Sequence, residues 1–66
     1  MNEIELKKIK QNEANRIIDA MGGTSAVADL FDITTGGVSQ WRDDGIPEAR
    51  LFSIKLLRPD LFNEAA

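Results

Sequence analysis

The stretch TSAVADLFDITTGGVSQW, residues 24–41, decides the fold. It predicts two short helices joined by a turn at residues 32–34, because apolar residues recur at helical spacing on both sides of that turn. Ala28 falls where the helices cross, and Val38 and Trp41 fall on the inner side of the second helix. The outer side then presents small, mostly uncharged residues. Such a face suits contact with base edges in a DNA major groove and offers little to catalysis.

The sequence before this stretch predicts one more helix. From Asn12 onward, apolar residues follow the i, i+3, i+4, i+7 spacing of a single helix face: Ala14, Ile17, Ile18 and Met21. The glycines at positions 22 and 23 end this helix, because glycine adopts the left-handed cap conformation without steric cost. Residues 1–11 fit neither the helical nor the strand period, so they are predicted to be a helical extension or a loose arm.

The sequence after the stretch predicts a loop, a fourth helix and a short final turn. Residues 43–45 are expected to form the loop, and Pro47 is expected to hold the first position of a helix that runs to about Arg58. Pro59 stops that helix, and residues 63–66 are expected to be frayed. No segment shows strand alternation. We therefore predict a single all-α domain over residues 1–66, with four or five helices.

Composition excludes several kinds of site. The chain has no cysteine and no histidine, which excludes disulfides and thiolate or imidazole metal sites, and we expect no cofactor. An enzyme is a less favoured interpretation than a DNA-binding or a protein-binding domain. The sequence has no Gly-rich phosphate loop and no carboxylate pair on one face. Nothing resembles a signal peptide or approaches the roughly 18 apolar residues of a membrane span, so a cytoplasmic protein is expected.

The net charge of −3 is the main observation against a nucleic-acid partner, because phosphate contacts dominate DNA affinity and require positive charge. The excess lies in residues 24–66, where seven acidic residues oppose four basic ones. A helix N-terminus binds phosphate through backbone N–H groups without any net charge, and Thr24 caps such a helix in this prediction. The lysines at positions 7, 8 and 10 are either an arm along the phosphates or a solvated face.

Residues 24–43 resemble the helix-turn-helix of Cro-like phage and prophage repressors. The resemblance rests on residue types at the helix start, the crossing, the turn and the second helix: Thr24, Ala28, Ile33, Val38 and Trp41. Family members usually carry glycine where this chain has Asp32, because the backbone there is often left-handed, and Asp tolerates that conformation better than most residues. Only four residues follow Phe62, too few for the terminal β-hairpin of some Cro proteins. An all-helical, lambda-repressor-like domain is expected.

The resemblance implies a sequence-specific repressor that binds palindromic double-stranded DNA as a weak homodimer, with residues 35–42 as the recognition helix. Base contacts are expected from its outer side: Thr35, Gly36, Ser39 and Gln40. Phosphate contacts are expected from both helix starts and from the end of the recognition helix: Thr24, Ser25, Thr34 and Arg42. The dimer contact is expected from surplus apolar residues of the fourth helix and final turn: Phe52, Leu56 and Phe62.

Alternative interpretations stay open for several of these residues. Trp41 stacks on bases if it is not core, although its spacing favours the core. Arg42 forms a salt bridge with a nearby acid if it does not contact phosphate. The apolar surface of the fourth helix is covered by a partner, by Leu61 and Phe62 folding back over it, or in part by each. The whole domain is otherwise a protein-interaction module, such as a prophage antitoxin or adaptor, which the net acidity and the apolar fourth helix support.

Overall fold

The computed structural model describes residues 2–62, and these form four α-helices and one 3-10 helix. In chain order they are α1 (Glu3–Ala20), α2 (Thr24–Phe31), α3 (Thr35–Asp44), α4 (Glu48–Leu57) and a final 3-10 helix (Pro59–Phe62). The described residues contain no strand, which confirms the predicted all-α class. None of their helices is long and apolar enough to cross a membrane. The fraying expected at residues 63–66 lies outside the described residues.

α1 resolves the alternatives left open for the N-terminal segment. The helix begins at Glu3, well before Asn12, so residues 3–11 are a helical extension and not a loose arm. The Asn2 side chain caps it by accepting a hydrogen bond of 2.9 Å from the backbone N–H of Glu5. After the helix, Gly22 has a φ of +108°, a backbone conformation that side chains other than glycine rarely adopt.

A single apolar cluster lies between the helices. Its buried members come from all four α-helices and from the loop before α4: Ala14, Ile17, Ile18, Val27, Ala28, Val38, Trp41, Ile46 and Ile54. Ala28 is 3% exposed, Val38 0% and Trp41 9%, which confirms that Val38 and Trp41 lie on the inner side of α3 and that Ala28 faces the core. The Trp41 ring meets the Phe31 ring edge-on, with 5.9 Å between centroids, and so ties α3 to α2.

Asp43 and Asp44 continue α3, so the prediction of a loop at residues 43–45 is wrong. The helix ends at Asp44, and the C-cap residue Gly45 has a φ of +99°. A contact from α1 helps to satisfy the end of the helix: Gln11 Nε2 donates a hydrogen bond of 2.9 Å to the Asp43 carbonyl. The last carbonyls of a helix lack intrahelical partners, so such a donor favours the extra turn.

Two predicted helix starts are shifted by one residue. Gly23, not Thr24, is the N-cap of α2, and the Thr24 hydroxyl accepts a hydrogen bond from Arg42 instead of capping the helix. Pro47 is the N-cap of α4 and not its first residue.

The final 3-10 helix folds back against α1 and α4. Arg16 Nη1 donates a hydrogen bond of 2.9 Å to the Leu61 carbonyl, and Leu61 and Phe62 pack against the core. Arg58 donates two hydrogen bonds to the Asp60 carboxylate, of 3.0 and 2.9 Å, and these lower the pKa of that carboxyl. The folding back proposed as an alternative for Phe62 therefore occurs.

Candidate nucleic-acid interface

The turn between α2 and α3 has the geometry predicted for it. Asp32 lies in the left-handed region, with φ 55° and ψ 47°. The backbone N–H of Ile33 donates to the Ala28 carbonyl at 3.0 Å, which closes the end of α2. The Thr34 side chain caps α3, because its Oγ1 accepts a hydrogen bond of 3.1 Å from the backbone N–H of Gly37. These contacts hold the start of α3 in a defined direction.

α3 turns a side made of small and polar residues to the solvent. At about 100° per residue, this side lies opposite the buried Val38 and Trp41. We call it the α3 outer face, and it consists of exposed residues only: Thr35, Gly36, Ser39, Gln40 and Asp43. All four residues predicted to contact bases therefore lie together on one exposed surface, which carries no large apolar side chain.

Of the acidic pair at the end of α3, Asp43 is part of this face and Asp44 borders it. Asp43 lies seven residues, or about two turns, after Gly36 and therefore on the same side. Asp44 contacts the face directly, because Gln40 Nε2 donates a hydrogen bond to its Oδ2. This contact was not predicted from the sequence, because a helix that ends near Arg42 leaves Asp44 in the following loop. Once α3 extends to Asp44, the i, i+4 spacing from Gln40 identifies the pair.

Arg42 joins α1, α2 and α3. Its guanidinium donates three hydrogen bonds: Nε to Thr24 Oγ1 at 3.0 Å, Nη1 to Asn15 Oδ1 at 2.6 Å and Nη2 to Asp19 Oδ1 at 2.7 Å. We call this set the Arg42 junction. The ion pair with Asp19 is the salt bridge considered as the alternative to a phosphate contact, and the Arg42 side chain remains 26% exposed.

The start of α2 presents backbone N–H groups. Its N-cap is Gly23, which has no side chain, and no side-chain hydrogen bond caps the helix among the described residues. Ser25 is exposed, and Thr24, whose hydroxyl belongs to the Arg42 junction, is half-buried. A helix N-terminus of this kind carries the positive end of the helix dipole and favours an anion.

α4 turns an apolar side to the solvent. Phe52 and Leu56, one turn apart, are 64% and 70% exposed and lie opposite the buried Ile54. With the exposed Ala49 they form what we call the α4 outer face. Phe62 is half-buried, and Lys55 Nζ lies 5.3 Å from its ring centroid. The structure thus brings Phe52 and Leu56 together on an open surface but holds Phe62 partly within the fold.

Comparison with known families identifies the chain at the level of a family. Residues 13–57 match the family described as DNA-binding transcriptional regulator Cro, a match that contains α2, α3 and α4 in full. Neither the curated proteins nor the solved structures gave a match. Since the family match spans more than half of the chain, the chain belongs to this family of DNA-binding transcriptional regulators, which is not a family of enzymes.

Proposed function

We propose that this member of the Cro family is a sequence-specific transcriptional repressor that lays α3 in the major groove of a double-stranded operator. The observation that carries the proposal is the α3 outer face, whose exposed residues are small or polar while Val38 and Trp41 hold the helix from behind. Such a face reaches base edges without exposing apolar surface to the water of the groove.

Four residues of the α3 outer face are proposed to contact bases. The Gln40 amide both donates and accepts hydrogen bonds, while Thr35 and Ser39 offer hydroxyls. Gly36 has no side chain and lets the backbone approach the DNA. A Cβ built at Gly36 would lie 3.8 Å from its nearest neighbour, Thr34 Oγ1, so the fold itself has room for a side chain. A need for glycine at this position would therefore come from DNA.

Phosphate contacts are proposed at the edges of this surface. The N–H groups of Thr24 and Ser25 supply them at the start of α2, and Thr34 supplies one at the start of α3. Arg42 uses three guanidinium nitrogens within the Arg42 junction, but a guanidinium has five N–H donors. Those left over are proposed to reach a phosphate. Because these contacts rely on few cations, DNA affinity should fall only moderately with salt.

A homodimer is proposed to form through the α4 outer face, with Phe52 and Leu56 at its centre and Phe62 at its edge. Covering exposed apolar side chains with a second copy of the protein removes them from water, which favours association. The patch is small, so the dimer is weak, and DNA assists its assembly. A two-fold dimer places two recognition helices about 34 Å apart, in successive major grooves of a palindromic operator.

Binding to genomic DNA fragments tests the proposal. Gln40→Ala should leave the fold intact, because the side chain is exposed, and should weaken the selected site by about 1–3 kcal/mol with relaxed preference at one base pair. Asn12→Ala, an exposed amide on α1, is the control and should change neither. A wild-type protein that binds all fragments equally would refute sequence-specific recognition. A uniform loss in Gln40→Ala would assign Gln40 to the phosphate contacts.

The second candidate function is a protein-interaction module on the helix-turn-helix scaffold. It is favoured by the two acidic residues at the exposed end of α3 and by the pairing of Arg42 with Asp19, since both reduce the positive charge offered to DNA. Binding at low salt separates the two functions. A repressor binds DNA there and loses affinity as salt rises, whereas an interaction module shows no DNA binding even at the lowest salt.

A further inference from the structure

Asp44 holds the side-chain amide of Gln40 in one orientation. Gln40 Nε2 donates to Asp44 Oδ2, and the two residues face each other across one turn of α3. An ionised carboxylate only accepts hydrogen bonds, so the amide nitrogen of Gln40, and not its oxygen, must point to Asp44. The two possible orientations of the Gln40 amide differ by an exchange of its oxygen and nitrogen. The carboxylate of Asp44 is compatible only with the orientation in which the nitrogen faces it.

The held amide matches one base better than the others. Its bond to Asp44 uses one N–H and leaves the second N–H and the Oε1 oxygen for a base. One donor beside one acceptor complements the major-groove edge of adenine, which presents the N7 acceptor and the N6 amino donor. Guanine presents two acceptors at that edge, so it would oppose both Gln40 Oε1 and the negative charge of Asp44.

We infer that Asp44 is a positioning residue that presents Gln40 to adenine and discriminates against guanine at the base pair that Gln40 reads. The inference rests on the proposed function, in which Gln40 faces a base. It requires no contact between Asp44 and DNA. It also accounts for an acidic residue at the end of a recognition helix, where its charge otherwise only weakens the attraction to phosphates.

Asp43 provides a charge-matched comparison for the test, because it lies on the α3 outer face but is not among the residues proposed to contact bases. Asp43→Ala and Asp44→Ala remove the same charge from the same exposed helix end, but only Asp44 bonds to Gln40. Neither variant should destabilise the fold. A negative charge is unfavourable at a helix C-terminus, which is the negative end of the helix dipole, so removing it costs no stability there. Asp44→Asn keeps an oxygen that can accept the bond from Gln40, and therefore tests the hydrogen bond separately from the charge.

The readout is the ratio of affinities for duplexes that carry adenine or guanine at the base pair where Gln40→Ala relaxes preference. Asp44→Ala should lower this ratio about tenfold, within the range known for one bidentate contact. Asp43→Ala should raise the affinity for both duplexes and leave the ratio unchanged. Asp44→Asn should retain most of the wild-type ratio. An unchanged ratio in Asp44→Ala, or an equal fall in Asp43→Ala, would overturn the inference.

A measurement without DNA separates this inference from the proposed function. In the free protein, the Gln40 side-chain amide resonances should move toward unstructured values in Asp44→Ala and stay in place in Asp43→Ala. If the Gln40 amide resonances stay unchanged in both variants, Asp44 does not position Gln40, even if the protein binds DNA with sequence preference. If the resonances respond as expected and no duplex is preferred, the proposed function fails, and the discrimination between bases fails with it.

Discussion

α3 and α4 are helices of equal length, ten residues each, that turn opposite kinds of surface to the solvent. The α3 outer face carries hydroxyls, an amide, a bare glycine and the carboxylate of Asp43, whereas the α4 outer face carries Phe52 and Leu56. Burying a polar group costs free energy unless a partner replaces its hydrogen bonds with water. Burying apolar surface is favourable by about 25 cal/mol per Å². The chemistry of each face therefore agrees with the partner proposed for it, DNA for α3 and a second copy of the protein for α4.

The strongest test of this comparison is made on the inner side of α3. Trp41→Ala should destabilise the domain by about 3–5 kcal/mol, because truncating a buried aromatic residue removes core contacts and leaves a cavity. Thermal unfolding followed by circular dichroism measures the loss, and Gln40→Ala, on the neighbouring outer position, should melt like the wild type. A Trp41→Ala protein with an unchanged melting temperature would mean that the inner and outer sides of α3 are wrongly assigned.

Arg42 tests whether the end of α3 serves the fold or the DNA. Arg42→Ala should destabilise the domain by about 1.5–3 kcal/mol, because it removes the three hydrogen bonds of the Arg42 junction, one of them to a carboxylate. Arg50→Ala is the control, since Arg50 lies 5.1 Å over the Phe31 ring and loses a cation–π contact of about 0.5–1 kcal/mol. Full stability of Arg42→Ala with lost DNA binding would make Arg42 a phosphate contact alone.

The α4 outer face is tested by placing a charge in it. Phe52→Asp should weaken binding to a palindromic operator about tenfold, or about 1.4 kcal/mol, and leave the melting temperature nearly unchanged, because the side chain is exposed in the monomer. Leu57→Asp is the matched control, because Leu57 is 55% exposed but lies off this face. Sedimentation shows whether the dimer is lost. If the wild-type protein is monomeric and its DNA footprint covers only half of the operator, the α4 outer face is not a dimer contact.

Gly36 gives the smallest expected effect. Gly36→Ala and Gly37→Ala should each stabilise α3 by less than about 1 kcal/mol, because alanine favours the helix and the nearest atoms to an added Cβ lie at 3.8 and 3.5 Å. Only Gly36 belongs to the α3 outer face, so only Gly36→Ala should weaken operator binding. Chemical denaturation and fluorescence anisotropy measure the two effects. Equal DNA affinity of both variants would show that the glycine serves no close approach.

Local patterns predicted the middle of the motif and failed at its ends. Val38 and Trp41 follow from helical periodicity, which needs only neighbouring residues, and the left-handed conformation of Asp32 follows from the family resemblance. The extension of α3 to Asp44 depends in part on a bond from Gln11, which is 32 residues away from Asp43 in the chain. No local pattern contains such a contact.

The same distinction applies to the candidate site. The four residues predicted to contact bases share a face because of the helix register around Trp41, whereas Asp43 joins that face only because α3 runs beyond Arg42. The partners of Arg42 were not predictable, because Asn15 and Asp19 come from α1 and meet Arg42 only when the helices pack. Their i, i+4 spacing on α1 shows that they share a side, but it does not show what that side contacts.

The Arg42 junction has a consequence for the rates of folding and unfolding. It joins Arg42 to residues 27, 23 and 18 positions earlier in the chain, so it forms only when three helices have come together. Single helices form within about a microsecond, long before such an arrangement is complete. We therefore expect Arg42→Ala to accelerate unfolding more than it slows folding, as for contacts made after the transition state. Relaxation after a temperature jump would measure both rates, and an equal or greater effect on folding would place the junction in the folding nucleus.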